Sequence, residues 1–107
     1  MEGLREPPPG AEYHLIFEDK TTHAVQMLVR FPKDYVLASH SHTHDETIVV
    51  IKGKLAVEVE GKSAVLKPGS YVAIPAETVH ALKSKGACEM LVSLNGPFDA
   101  KGLPPVK

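Results

Sequence analysis

The sequence of 107 residues contains a single cysteine, Cys88, so no internal disulfide can form. It lacks an apolar run approaching the roughly 20 residues that a membrane-spanning helix needs. It also lacks an excess of basic charge, since 12 Lys and Arg against 13 Asp and Glu leave a net charge of -1, and binding to nucleic acid therefore has no electrostatic support. The opening residues, MEGLREPPPG, lack the apolar centre of a secretory signal. These absences favour a protein of the reducing cytoplasm that binds neither membranes nor nucleic acid.

Short segments rich in Val, Ile, Leu, Tyr and Thr follow one another along the chain, and none shows a sustained helical period. The segments predicted as strands cover residues 12–19, 22–31, 35–40, 47–53, 54–61, 63–69, 70–75, 79–86 and 88–96. The clearest hairpin is KLAVEVEGKSAVL, in which EGK turns the chain. This pattern predicts one all-β domain, a sandwich or barrel, over residues 13–96. An extended arm, residues 1–12, precedes it, and a tail rich in Gly and Pro, residues 97–107, follows it.

Three of the six histidines lie within five residues of the stretch HSHTHDET, which begins at His40. On a strand alternate side chains share a face, so His40 and His42 point the same way, and His44 and Glu46 can follow them. Two imidazoles on one face can hold a metal ion, and a nearby carboxylate can add an oxygen ligand. The alternative is a solvated polar loop whose histidines bind nothing. His80, which follows a strand and a proline turn, can reach the same cavity in a barrel.

The cluster and its surroundings resemble the first motif of the cupins, G-x5-H-x-H-x(3,4)-E-x6-G. The chain carries His40, His42, Glu46 and Gly53 at this spacing, and Asp34 stands at the position of the leading glycine. Gly53 lies between two predicted strands, where a positive φ would let the chain turn.

The second cupin motif, G-x5-P-x-G-x2-H-x3-N, also has a counterpart. Gly69, Pro75 and His80 match it in spacing, whereas Glu77 and Ser84 replace the second glycine and the asparagine. Gly69 follows a proline and suits a type II turn. The resemblance extends from about residue 13 to residue 94, which is most of the chain.

The resemblance implies a single-domain double-stranded β-helix, or jelly-roll barrel, in which His40, His42, Glu46 and His80 bind one divalent transition metal ion. Imidazole and carboxylate ligands suit Fe, Mn, Ni, Zn or Cu, and the sequence leaves the choice among them open. His44 is not a ligand position of the motif, so we expect it to support a ligand from outside or to lie at the rim of the site.

Side chains that share inward parity with these ligands are expected either to line a pocket or to fill the core. They are Met27, Ile48, Val50, Leu82 and Met90. An apolar pocket around a metal ion predicts a small, mostly apolar ligand or substrate with a chelating head. Arg30 is the one arginine of the central strands that could hold an anionic group, which makes sugar-phosphate chemistry less favoured. Cys88 lies in an apolar stretch, and this favours a buried thiol over a nucleophile.

Three functions fit these observations. The first is a small metalloenzyme, with a dioxygenase favoured over a Lewis-acid isomerase or lyase, because an ion with four protein ligands keeps positions open for catalysis. The second is a metal-dependent sensor or binding module that does not turn over its ligand. The third is a structural protein without metal. We also expect a homodimer, because the exposed edges of a short barrel invite strand pairing.

Overall fold

Seven antiparallel strands and no helix make up the part of the chain that the computed structural model describes, residues 10–102. The strands are β1 (Glu12–Glu18), β2 (Val25–Phe31), β3 (Val36–His40), β4 (Glu46–Val59), β5 (Lys62–Leu66), β6 (Tyr71–Ile74) and β7 (His80–Leu94). The all-β prediction is therefore confirmed, and no helix in residues 10–102 could cross a membrane. Most of the predicted N-terminal arm, residues 1–9, and residues 103–107 of the predicted tail lie outside the described residues.

Two long strands, β4 and β7, organise the sheet. The strand order is β1-β2-β7-β4-β5, with β3 added to β7 and β6 added to β4. Along β7 the first residues pair with β3 and the last with β2, while β4 pairs first with β6 and then with β5. Because each long strand changes its neighbour along its length, the sheet curls on itself into a jelly-roll barrel.

The two long strands each join segments that the sequence pattern separated. Residues 47–53 and 54–61 were predicted as two strands, but β4 runs through both with register shifts between Val50 and Lys54. Gly53 has the predicted positive φ, at +78°, yet the chain does not reverse there. A Cβ at Gly53 would lie 2.2 Å from the carbonyl oxygen of Ala87, so a glycine is needed for close approach of β4 to β7.

The core lies inside the barrel and follows strict alternation on β2. Val25, Met27, Val29 and Phe31 are buried, whereas the intervening Gln26 and Arg30 are exposed. Cys88 is buried in the same core, and burial raises the pKa of its thiol. A protonated, enclosed thiol is a poor nucleophile, which agrees with a packing role.

The hairpin between β4 and β5 forms where the sequence predicts it, with Val59 opposite Lys62. Its two turn residues, Glu60 and Gly61, have φ angles of +50° and +82°. Two positive φ angles are the mark of a type I′ turn, whose twist matches that of the flanking strands. Gly61 adopts this conformation freely, whereas the Cβ of Glu60 opposes it.

We expect Glu60→Asn to stabilise the fold by about 0.5–1 kcal/mol, because asparagine tolerates a left-handed backbone better than glutamate. Thermal unfolding should show a midpoint a few degrees higher. Glu58→Asn is the matched control: it makes the same change at an exposed strand position of β4, where asparagine is disfavoured. A midpoint that is unchanged or lower in Glu60→Asn would contradict the turn assignment.

Candidate metal centre

Strand pairing brings the predicted ligand residues to one place. His40 ends β3 and His80 begins β7, and the two are directly opposite in the antiparallel register. His42 lies two residues beyond His40, and Glu46 is the first residue of β4. The exposed fractions of these four residues are 3%, 1%, 5% and 6%, in that order. Burial of four ionisable groups in one place requires compensation of their charge or polarity.

The three imidazoles form a compact group. The potential ligand nitrogens of His40, His42 and His80 all lie within 4.8 Å of one another. Their ring centroids are 4.3 to 5.2 Å apart. Nitrogens at this separation can bind one ion in common, since a metal–imidazole bond is about 2.0–2.1 Å long. The three histidines could therefore hold a metal ion.

Backbone carbonyls decide which nitrogen each ring presents. Nδ1 of His40 donates to the carbonyl of Ala38 at 2.7 Å, and Nδ1 of His80 donates to the carbonyl of Thr78 at 2.9 Å. Nδ1 of His42 donates to the carbonyl of Asp99. Because a carbonyl can only accept, Nδ1 carries the proton in each ring and Nε2 keeps its lone pair. This is the support that metal-binding histidines normally receive.

Glu46 faces two of these lone pairs. Its Oε1 lies 3.0 Å from Nε2 of His80 and 3.3 Å from Nε2 of His42. Oε1 of Glu46 and Nε2 of His80 are both buried and have no hydrogen-bond partner among the described residues. Two acceptors that face each other in a buried space repel unless a cation or a proton lies between them. The donor set, three imidazoles and a carboxylate, fits a divalent transition metal ion.

The ionisation of the cluster follows from this geometry. Burial lowers the pKa of His40 to about 4, which keeps that ring neutral. Burial alone would also lower the pKa of His42, but the Glu46 carboxylate outweighs it and raises that pKa. Burial would raise the pKa of Glu46, yet contacts with His42 and His80 lower it to about 2. The carboxylate therefore stays ionised, and the cluster attracts positive charge.

A segment beyond the last strand completes the centre, and sequence reasoning missed it. The carboxylate of Asp99 accepts a hydrogen bond from the backbone N–H of Thr43 at 3.0 Å and another from the Thr43 hydroxyl. Lys101 forms two backbone hydrogen bonds with Ser41, at 2.8 and 2.9 Å. Residues 98–101 thus hold the loop that carries His42. They belong to no motif, and the sequence assigned them to a tail, so no local signal marked them.

The chain keeps a glycine-like backbone conformation at the two positions where it lacks a motif glycine. Asp34 and Glu77 stand where the motifs have glycine, and both have positive φ, +58° and +62°. Glu77 is held in this conformation by contacts on both sides. Its N–H donates to the carbonyl of His42 at 2.8 Å, and its carboxylate lies 2.8 Å from Nζ of Lys101.

Ser84, which replaces the motif asparagine, is fully buried and ties β7 to the turn before β3. Its hydroxyl donates to the carbonyl of Pro32 at 2.6 Å and accepts from the N–H of Tyr35 at 2.9 Å. The turn that contains Asp34 is therefore pinned from both ends by a single side chain. A hydroxyl here performs a structural role and does not contact the imidazoles.

His44 lies outside the group of three imidazoles and outside the lining of the cavity. It is half-buried, and its ring packs so closely on Gly96 that a Cβ there would lie 2.4 Å away. Its neighbour Asp45 accepts a hydrogen bond from the N–H of Ala76 at 2.8 Å. The two residues brace the loops around the centre from outside.

A cavity opens beside the imidazoles, and about 420 Å³ of empty space lies in it and in the open solvent at its mouth. Its lining consists of Tyr13, Val29, Phe31, Leu37, His40, His42, Glu46, Leu82, Met90, Val92, Phe98 and Ala100. Of the residues predicted from parity, Leu82 and Met90 line it. Met27, Ile48 and Val50 are buried in the core but are not part of the lining. Alternation along a strand decides whether a side chain points into the barrel. Its position along the barrel axis and its neighbours decide whether it reaches the cavity.

Arg30 does not reach the cavity. Its side chain is exposed, with Nε 2.6 Å from the carboxylate of Glu89 and Nη1 3.7 Å from that of Glu12. Among the lining residues that the structure describes, none is Lys or Arg. An anionic group in the cavity would therefore have no cationic side chain to neutralise it.

Comparison with known sequences identifies relatives along most of the chain. The cupin domain family matches residues 27–94. An uncharacterized protein of Aquifex aeolicus is 31% identical over 91 residues, which cover 84% of this chain and 74% of that protein. The DNA damage-repair/toleration protein DRT102 of Arabidopsis thaliana is 33% identical over 93 residues, which cover 85% of this chain but 29% of the plant protein. This chain thus spans less than a third of the plant relative's length.

The fold is shared with solved structures at low sequence identity. A cupin superfamily protein of Desulfitobacterium hafniense has a TM-score of 0.76 to this chain, at 15% identity, and the match covers 87% of this chain and 84% of that one. At this identity the likeness concerns the fold. It agrees with the jelly-roll architecture seen in the strand order.

We expect His42→Ala and His80→Ala to lose most of the bound metal, because each removes an imidazole whose Nε2 faces the common space. The loss of affinity should exceed the roughly 10–100-fold that removal of an outer supporting group costs. His44→Ala is the control and should retain metal, since its ring packs on Gly96 instead. Metal content per chain after dialysis, determined by mass spectrometry, is the measurement. Loss of metal in His44→Ala with retention in His40→Ala would show that the ligand set is wrong.

Proposed function

This chain belongs to the cupin domain family, and we propose that it is a small metalloenzyme that acts on a chelating substrate inside its barrel. The observation that carries the proposal is the buried contact between Oε1 of Glu46 and Nε2 of His80, two acceptors 3.0 Å apart with no donor between them. Such a contact is unfavourable in the protein alone and becomes favourable around a cation.

His40, His42, Glu46 and His80 would hold one divalent ion, with Fe, Mn, Ni, Zn and Cu as the candidates that suit these donors. A bound ion would supply Lewis acidity or electron transfer at the coordination positions that the protein leaves open. The protein's part is to keep His40 neutral, to orient the three imidazoles through their Nδ1 protons and to surround the ion with apolar walls.

The walls of the cavity favour a small substrate with an apolar body. Phe31, Leu37, Leu82, Met90 and Phe98 supply aliphatic and aromatic surface beside the imidazoles. No Lys or Arg lies in the described lining, which argues against phosphorylated substrates. A substrate that fits would therefore bind through a chelating head and pack its remaining atoms on these side chains.

Among metal-dependent reactions, an oxygen-dependent one is favoured over isomerisation or elimination. Those two reactions need a protein group that takes a proton from the substrate. Within the described lining, Tyr13 is the only protic side chain that is not in the ligand set. Its pKa is raised, first by burial and then by nearby Tyr35 and Glu46, so the phenol stays protonated at neutral pH and cannot accept a proton from the substrate. An oxygen-dependent reaction of a chelator requires the loss of only the chelator's own acidic proton, which a bound ion would promote and solvent can accept.

The second candidate is a binding module that senses a small ligand through the metal and does not turn it over. The same cavity and ligand set would serve it, so only turnover distinguishes the two. The name of the plant relative adds no third candidate, because this chain corresponds to 29% of that protein and its net charge of -1 offers nothing to attract DNA.

The test is metal analysis of protein purified without a histidine tag, followed by oxygen-uptake assays with each candidate metal. Catechols and 1,3-diketones with apolar substituents are suitable substrates, because they chelate through two oxygens. We expect about one ion per chain and oxygen consumption that His80→Ala abolishes. Metal binding without turnover would favour the sensor, and absence of metal binding would refute both functions.

We also propose that the protein forms a homodimer through β1, the edge strand of the sheet. Leu15, Ile16 and Phe17 of β1 are 60%, 58% and 55% exposed. Leu15 is paired with Met27, which is only 6% exposed. Paired residues share a face of the sheet, so Leu15 lies on the inward side of β1 and yet has no cover among the described residues. The β1 strand of a second copy, packed on this side, would supply one.

Light scattering at micromolar concentration should give the mass of a dimer. Leu15→Lys should shift the protein toward monomer, because a charge in an apolar interface is costly to bury. Val65→Lys is the matched control, since Val65 is 47% exposed on β5, the opposite edge strand. A monomeric wild-type protein would contradict the proposal.

A further inference from the structure

Tyr13 lies in the cavity without an assigned role. It belongs to β1, opposite Val29 of β2, and both side chains line the cavity. Its ring meets Phe98 edge to face at a centroid distance of 6.3 Å, and Phe98 in turn contacts the His42 ring at 5.9 Å. The phenol is therefore part of the same wall as the imidazoles.

The Tyr13 hydroxyl makes no hydrogen bond to any other described residue. Part-buried tyrosines usually find such a partner, because the hydroxyl loses water when the ring is enclosed. Tyr13 instead lines a cavity whose other walls are mainly apolar, and its phenol is near enough to Glu46 to feel the charge of that carboxylate. A polar group left unpaired in such a place points to a partner that enters the cavity.

The hydroxyl is also the one N–H or O–H donor still free in the described lining. The Nδ1 protons of His40, His42 and His80 are used by backbone carbonyls. Burial, followed by nearby Tyr35 and Glu46, raises the pKa of Tyr13. The phenol therefore keeps its proton at neutral pH and can donate it in a hydrogen bond.

We propose that Tyr13 donates a hydrogen bond to an oxygen of the ligand that occupies this cavity, and that the ligand is an O,O-chelator with an uncharged, apolar body. This inference rests on the proposed metal function, because the ion would bind the same oxygens. Negative charge on a chelating oxygen strengthens a hydrogen bond to it. Tyr13 thus selects an oxygen ligand, while Phe98 and the aliphatic walls select its body.

Acetohydroxamate, a small O,O-chelator, provides a direct test with Co(II)-loaded protein. Its affinity can be measured by titration of the visible absorption of the bound Co(II), which requires no turnover. We expect Tyr13→Phe to bind acetohydroxamate about tenfold more weakly than the wild type, as for loss of one hydrogen bond to a charged group. Its Co(II) content and thermal midpoint should not change, because the hydroxyl has no partner among residues 10–102.

Tyr71→Phe is the matched control, since it removes the same hydroxyl from a side chain that is 70% exposed on β6. It should bind acetohydroxamate like the wild type. Equal affinity in Tyr13→Phe and the wild type would overturn the inference while leaving the metal function intact. A lower Co(II) content or midpoint in Tyr13→Phe would assign the hydroxyl to the fold and overturn it as well. Failure of the wild type to take up Co(II) would refute the metal function and the inference with it.

Discussion

Three hydrogen bonds from imidazole Nδ1 atoms to backbone carbonyls control the rest of the site. They fix the tautomer of His40, His42 and His80 that carries its proton on Nδ1, so Nε2 of each ring has a free lone pair. In the other tautomer, protons on Nε2 of His42 and His80 could satisfy the Glu46 carboxylate, and the cluster would need no ion. In the observed arrangement, Oε1 of Glu46 and Nε2 of His80 are buried acceptors without a donor. Two buried acceptors that face each other raise the free energy of the site, and a cation between them would remove this repulsion.

Two of the carbonyls that accept these hydrogen bonds are close to their histidines in sequence, and the third is distant. Those of Ala38 and Thr78 are two residues away from their histidines, so the strand ends supply them locally. The carbonyl of Asp99 is 57 residues from His42 and exists at that place only because the chain returns across the barrel after β7. The orientation of one imidazole therefore depends on closure of the whole domain, through a segment outside the 27–94 region that the family match covers.

The cavity combines this polar cluster with apolar walls, and each part limits what the other can do. Without Lys or Arg in the described lining, the site has little to offer a phosphate or a free carboxylate. With only Tyr13 as an additional protic group, it also has little capacity to move protons. Recognition would then depend on chelation, on one hydrogen bond and on apolar packing. These limits narrow the chemistry further than the fold does, since one fold carries many functions.

The strand pattern and the spacing of His40, His42, Glu46 and His80 can be read from the amino-acid sequence, because alternation along a strand and motif spacing are local properties. The features that depend on register between distant segments became visible in the folded chain. Folding joined two pairs of predicted strands into β4 and β7, placed Asp99 against His42, and brought Tyr13 into the cavity. It also placed Leu82 and Met90, but not the equally inward Ile48 and Val50, in the cavity wall. Alternation along a strand specifies which face of the sheet a side chain occupies. The position of that side chain along the barrel axis, and its neighbours, depend on pairing between distant strands, which a local sequence pattern does not reveal.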